Sequence, residues 1–322
     1  MKRLYLPVLL GCVVLLPGLT AARAEKQPEY TRTRDVIYGK KEGVAFTLDV
    51  FTPKKNANGA AVIAVVSGGF FSRHEGINPG FYQELLKRGY TVFAVVHGSQ
   101  PKFTVPEILE NMNRAVRFIR YHAREYKIDP ERIGVTGASA GGHLSLMLGT
   151  AGKAGNPKAT DPVDRVSSRV QAVACFFPPT DFMNFGSPGT EHIGDAVALP
   201  FRAAFDYHEF DKEAGRFERI TDKEKIREIT RQISPATHVS AASAPTLMIH
   251  GDKDGLVPIQ QSEWILAKFK KAGVPARLVV KKGADHGWPD LLDDMTTITD
   301  WFDKYLVKAA KAEENGEKAR EK

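Results

Sequence analysis

Three short stretches of this chain hold the residue types that acyl transfer requires, and their order along the sequence is informative. Gly137-Ala138-Ser139-Ala140-Gly141-Gly142 sets a serine between small residues. His250-Gly251-Asp252-Lys253-Asp254-Gly255-Leu256-Val257-Pro258 then offers two carboxylates, and Gly283-Ala284-Asp285-His286-Gly287-Trp288 closes the series with an imidazole. A serine hydroxyl attacks a carbonyl only when a base takes its proton. Histidine does this near neutral pH, and a carboxylate holds its tautomer and stabilises the imidazolium that forms. Serine, acid, histidine is the chain order expected when a G-x-S-x-G turn joins a strand to a helix at the top of a parallel sheet.

Each candidate has to be weighed against a blander role. Ser139 is the expected nucleophile, because Gly137 and Gly141 remove bulk two residues to either side, as so tight a turn demands. The helix opening behind it favours negative charge at its N-terminus. Nine histidines compete for the base: His74, His97, His122, His143, His192, His208, His238, His250 and His286. His122 lies within a helical pattern and His143 on the first turn after the serine, so both read as structural or surface residues. His250 ends a strand and reads as a support for the acid loop, which leaves His286 as the base. Asp254, deeper in its loop than Asp252, is the favoured acid. Asp252 is expected to bond loop amides, as short acidic side chains do in turns, and Asp285 to be solvated or capping. Oxyanion donors are expected from the Ala140 amide and from Gly69 and Phe70 in Ser67-Gly68-Gly69-Phe70-Phe71. Such donors are worth ~3 kcal/mol each. This chemistry calls for no metal or organic cofactor.

The elements that must position these loops are legible as patterns. A hairpin is expected over Arg34 to Pro53, turning at Gly39 to Gly43. Buried strands are expected at Ala60–Val66, Tyr90–Val96, Ile133–Thr136, Val170–Phe177 and Pro245–His250, with a last strand at Ala276–Lys281. Helices are expected over Phe81–Arg88, Pro106–Tyr126, from Ser139 onward, Glu263–Lys271 and Leu291–Ala309. Alternation of strand and helix argues an α/β fold, with a mainly parallel sheet covered on both faces. Between Thr180 and Ala244 the rhythm breaks into an aromatic segment and a charged helical run, Thr221–Ile233, with no convincing buried strand. It reads as an insertion over the carboxyl edge of the sheet.

Composition bounds the rest. At 43% hydrophobic and 26% charged, the 322 residues can bury a sizeable core. Lys2 and Arg3, an apolar run from Leu4 to Leu19 and then Ala22-Arg23-Ala24 form a secretory signal pattern with cleavage expected after Ala24. Cys12 lies in a lipid-attachment-like box but early in the apolar run. Loss of residues 1–24 removes three cations and lowers the formal charge from +7 to +4. That weak, dispersed bias is no nucleic-acid footprint. Cys175 would then be the sole cysteine, which excludes an intramolecular disulfide and a cysteine-based zinc site. The expected organisation is a leader at 1–24, one catalytic domain at 25–310 with the insertion at about 180–244, and a flexible Lys/Glu-rich tail at 311–322. A secreted or periplasmic location is expected, without stable membrane insertion after cleavage.

With these motifs in view, the chain resembles the esterase/lipase branch of the α/β-hydrolases related to hormone-sensitive lipase, and in particular bacterial acetylxylan and feruloyl esterase-like proteins. The likeness runs from about Arg34 to Leu306 and rests on Gly137–Gly142, Pro178-Pro179-Thr180-Asp181, His250–Pro258 and Gly283–Trp288. That branch commonly carries His-Gly-Gly-Gly-Trp after the third strand, where this chain has Ser67-Gly68-Gly69-Phe70-Phe71. The resemblance implies a Ser139–His286–Asp254 triad acting through an acyl-enzyme on a small-molecule or polysaccharide ester. A prolyl-oligopeptidase-like peptidase, a formamidase or acyltransferase, and an inactive binding protein on the same fold are the competing readings.

Overall fold

Runs of small and branched apolar residues dictate the sheet. The computed structural model describes residues 29–308, so the expected leader, Cys12 and the tail at 311–322 lie outside the described residues. In chain order the strands and helices are β1 (Tyr30–Lys41), β2 (Val44–Pro53), β3 (Ala61–Val66), α1 (Gln83–Lys87), β4 (Thr91–Val96), α2 (Val105–Tyr121), α3 (Ala123–Tyr126), β5 (Ile133–Ala138), α4 (Ala140–Ala151) and β6 (Ala172–Phe176). They continue with β7 (His208–Asp211), β8 (Arg216–Arg219), α5 (Lys223–Gln232), β9 (Thr246–Gly251), α6 (Gln260–Lys271), β10 (Ala276–Lys281) and α7 (Met295–Phe302).

Eight strands form one sheet in the order β1-β2-β4-β3-β5-β6-β9-β10. β1 and β2 pair antiparallel, β2 meets β4 antiparallel, and every pairing from β4 to β10 is parallel. The expected α/β architecture, mainly parallel with an N-terminal antiparallel hairpin, is therefore the observed one. All six residues of β3 are buried, because helices cover both of its faces. Ala61, Ile63 and Val65 face the core under α2, α4 and α6, while Val62, Ala64 and Val66 face the core under α1 and α7. This strict alternation is the period-2 geometry of a strand serving two cores at once.

Several boundaries differ from expectation for local reasons. β1 starts at Tyr30 and runs to Lys41, so the turn is only Glu42-Gly43, both with positive φ. The long helix expected to Tyr126 breaks at His122, whose ring packs on Phe118 at 4.4 Å and whose Nδ1 pairs with Glu125 at 2.7 Å. The closing helix begins as a 3₁₀ turn at Leu291–Asp294 and ends in a π-helical turn, Asp303–Lys308. In the insertion the charged run forms α5, capped by Asp222, whose carboxylate accepts from the Lys225 amide at 2.9 Å. An additional exposed hairpin, β7–β8, precedes it and pairs Phe210 with Phe217.

Candidate active site

β5 ends at Ala138 and α4 opens at Ala140, which leaves Ser139 alone on the turn at φ 55°, ψ −120°. A non-glycine residue is held there only when its surroundings over-determine it. The fit is close: a Cβ on Gly137 would lie 2.5 Å from the carbonyl oxygen of Gly141. Ser139 Oγ stands 2.9 Å from His286 Nε2, and His286 Nδ1 stands 2.7 Å from Asp254 Oδ2. A carboxylate only accepts, so Nδ1 carries the proton and Nε2 is left to accept from the serine.

The Asp254 side chain is buried and surrounded by donors. Its Oδ1 accepts from the amides of Leu256 and Val257 at 2.9 and 2.8 Å, and its Oδ2 also accepts from His250 Nε2 at 3.2 Å. The same His250 N–H lies 2.9 Å from the Val257 carbonyl oxygen, and Ser262 Oγ donates to Nδ1 at 2.8 Å. Burial alone would raise the Asp254 pKa, but hydrogen bonds from His250, His286 and Val257 hold it well below the usual carboxylate range. Asp252 Oδ1 accepts from the Gly283 amide at 2.6 Å, and its other oxygen pairs with Lys282 at 3.2 Å. Thus Asp254 faces the imidazole and Asp252 serves the loop backbone.

Two further residues shape the site: Asp285, expected to be solvated or capping, and Phe177, which the sequence did not mark. Asp285 Oδ1 accepts from both the Gly255 and His286 amides, at 2.9 and 2.7 Å, which fastens the histidine loop to the acid loop. Phe177 sits at φ 33° with its ring 4.4 Å from that of His286, backed by Trp288 at 5.8 Å. For Phe177 the available signal was an aromatic residue at the exit of β6.

Gly68 and Phe71 exchange backbone hydrogen bonds of 3.0 and 2.9 Å, closing a turn whose middle residues, Gly69 and Phe70, have φ of 55° and 64°. Among the described residues the amides of Gly69, Phe70 and Ala140 have no acceptor, as donors reserved for an oxyanion require. The Phe70 ring is buried edge-on against His143 at 5.4 Å and Phe205 at 5.6 Å, and this anchoring offsets its left-handed backbone. Gln100 Nε2 donates to the Gly69 carbonyl and, at 3.2 Å, to that of Pro200. Phe182, Phe205 and Tyr207 are buried in the core on the α2/α4/α6 face of the sheet, with Phe185 and Phe201 partly buried against it. These aromatics support the turn from behind.

Asp35, Asp49 and His74 bring ligand-type atoms together. Arg32 Nε already pairs with buried Asp49 at 2.6 Å, with His74 Nε2 at 3.2 Å, so a side-chain cation supplies the charge that Asp49 needs.

His97 and His143 are buried, and each donates one ring N–H to a carbonyl, of Gly98 and Ile233 respectively. Burial pushes both pKa values down to about 4, against the smaller opposing effect of those hydrogen bonds. Below the ordinary value of 6.5 the unfolded chain binds protons that the folded chain refuses until about 4, so stability falls as pH drops through that window. Thermal unfolding from pH 7 to 4 should show Tm declining, with a shallower decline in His143→Gln. An equal slope in the variant would show that His143 is not one of the groups responsible.

A serine on the turn after the central strand, with its acid and histidine on later carboxyl-end loops of a mainly parallel sheet, makes this an α/β-hydrolase fold. More narrowly, the chain belongs to the BD-FAE family, whose model matches residues 48–269. It is 26% identical over 247 residues to the probable carboxylic ester hydrolase LipM of Mycobacterium tuberculosis, covering 76% of this chain and 53% of LipM. It is 33% identical over 107 residues to an acetylxylan esterase of Xylanibacter ruminicola, covering 31% and 21%. The chain thus spans about half of LipM's length, and its match to the acetylxylan esterase is shorter still. A truncated carbohydrate esterase from gut microbiota has the same fold, with a TM-score of 0.69 at 24% identity over 88% of this chain and 99% of that one.

Proposed function

We propose that the chain is an exported serine carboxylic ester hydrolase with Ser139 as nucleophile, His286 as general base and acid, and Asp254 as the group that orients the imidazole. The unbroken hydrogen-bonded path from Ser139 Oγ through His286 to Asp254 carries this reading. Ser139 Oγ bonds to the ester carbonyl carbon as its proton passes to His286 Nε2. The carbonyl oxygen becomes an oxyanion facing the Ala140, Gly69 and Phe70 amides. Collapse breaks the ester C–O bond, and His286 returns the proton to the departing alcohol. Water then repeats the sequence on the acyl-enzyme and releases the acid.

Acetyl or feruloyl esters of plant polysaccharide are the proposed natural substrates. The relatives named for acetylxylan and carbohydrate ester cleavage support that class. Export rests on the charged, apolar, small-residue pattern of residues 1–24.

A panel of p-nitrophenyl acetate, butyrate and octanoate, methyl ferulate, acetylated xylan and a prolyl anilide tests the reading. Ester turnover that disappears in Ser139→Ala is expected, together with loss of covalent labelling by an organofluorophosphonate. Labelling that survives the substitution would move the nucleophile elsewhere. Anilide cleavage without ester turnover would favour a peptidase.

A further inference from the structure

A cavity of about 650 Å³ opens beside the nucleophile on the α1/α7 side of the sheet. It reaches Gly137 and Ala138, the two residues before Ser139, and Gly68 at the oxyanion turn. Its walls are largely apolar, with Phe71, Phe81, Phe176 and Met295 among them. Among the described residues that line it, Arg73 alone carries a charge. The guanidinium forms no ion pair and no side-chain hydrogen bond with the described residues. Neither Glu75 two residues on nor the adjacent Asp35–Asp49–His74 group, which Arg32 already serves, pairs with it. On the same wall Ser67 Oγ is buried without a hydrogen-bond partner.

Arg73 is exposed at the rim of this cavity and meets only solvent among the described groups, and its fork of N–H groups suits a carboxylate in two-point contact. The apolar walls suit a ring or short chain between the carboxylate and the reacting carbonyl. The geometry points to a substrate that carries a carboxylate on the part seated here, bound by Arg73. This rests on the ester hydrolase reading and confines its substrates to anionic esters: an acetyl or feruloyl ester of an acidic alcohol or, where the charge lies on the acid half, an ester of an aromatic diacid in place of the acetyl and feruloyl esters proposed above.

The carboxylate can belong to either half of the ester, and two matched pairs separate the cases. Monomethyl terephthalate against methyl benzoate places it on the acid half, and 4-acetoxybenzoate against phenyl acetate on the alcohol half. For one pair, wild-type kcat/KM should favour the anionic ester. Arg73→Gln should lower that anionic-to-neutral ratio by about 2- to 5-fold, the range of a solvent-exposed ion pair. Arg73→Lys should retain part of the preference, since the charge stays while the two-point geometry is lost. Ratios that Arg73→Gln leaves unchanged in both pairs, with turnover still dependent on Ser139, would overturn the anion site and leave the esterase reading standing. No turnover of any of the four esters would overturn both.

Discussion

Replacing His286 by alanine is expected to lower kcat on a small ester such as p-nitrophenyl acetate by about 10⁴-fold or more, as loss of a triad base does on other folds. The expectation follows from position. His286 is the one imidazole within hydrogen-bonding distance of Ser139 Oγ among the described residues, and a serine hydroxyl without a base is a poor nucleophile. The base acts only as the transition state forms, so KM should change little while kcat and kcat/KM fall together. The side chain is one-fifth exposed and packs on Phe177 at the surface of the site, so the fold should persist. A loss of less than tenfold would move the base to another histidine. The first to examine would then be His250, which already touches Asp254.

The second large effect is expected from Asp254→Asn, with a loss in kcat of about 10⁴-fold from the change of tautomer alone. Four N–H groups converge on this carboxylate, two on each oxygen. An amide can accept at only one of the two positions, so its NH₂ group must face either a pair of backbone donors or the two imidazoles. In the second case His286 Nδ1 becomes an acceptor and Nε2 carries the proton, which is the wrong tautomer for taking one from Ser139. Asp252→Asn should be mild by comparison. Its amide oxygen can still accept from Gly283, and the lost partner is an exposed lysine whose ion pair contributes little. Parallel measurements of kcat/KM for the two variants decide the matter. A larger loss in Asp252→Asn would reverse the assignment of the acid.

The parts of this molecule that were legible in its sequence share a physical cause. Strands buried on both faces must be continuously apolar, so β3, β4, β6 and β9 announce themselves, and the loops between them inherit their places. Ser139 and Asp254 follow the interior strands β5 and β9, His286 follows the partly exposed edge strand β10, and the structure brings all three together. The rest depended on information that sequence pattern does not hold. The β7–β8 strands are four residues each and mostly exposed, so they carry no burial period. No glycine marks the left-handed backbone at Phe177, and the tie from Asp285 to Gly255 spans 30 residues that no short motif joins. Spacing alone does not say whether the insertion's aromatic residues line a pocket or fill a core. Packing decides it: Phe182, Phe205 and Tyr207 are core residues with Phe70 packed on Phe205, while Phe185 and Phe201 are partly buried.

That packing of Phe70 has a bearing on how the molecule can be rebuilt. Where a relative places a third glycine, this chain has a side chain rooted in Phe205 and His143, and through them in the aromatic core of residues 182–207. The segment is therefore not an interchangeable module. A chimera that transplants a foreign insertion onto this sheet inherits a turn whose anchor has lost its socket, and one that transplants the turn alone leaves a socket unfilled. Residues 67–71, His143 and the insertion form one unit of exchange, and recombination that keeps them together is the route by which a new substrate surface could be fitted to this scaffold.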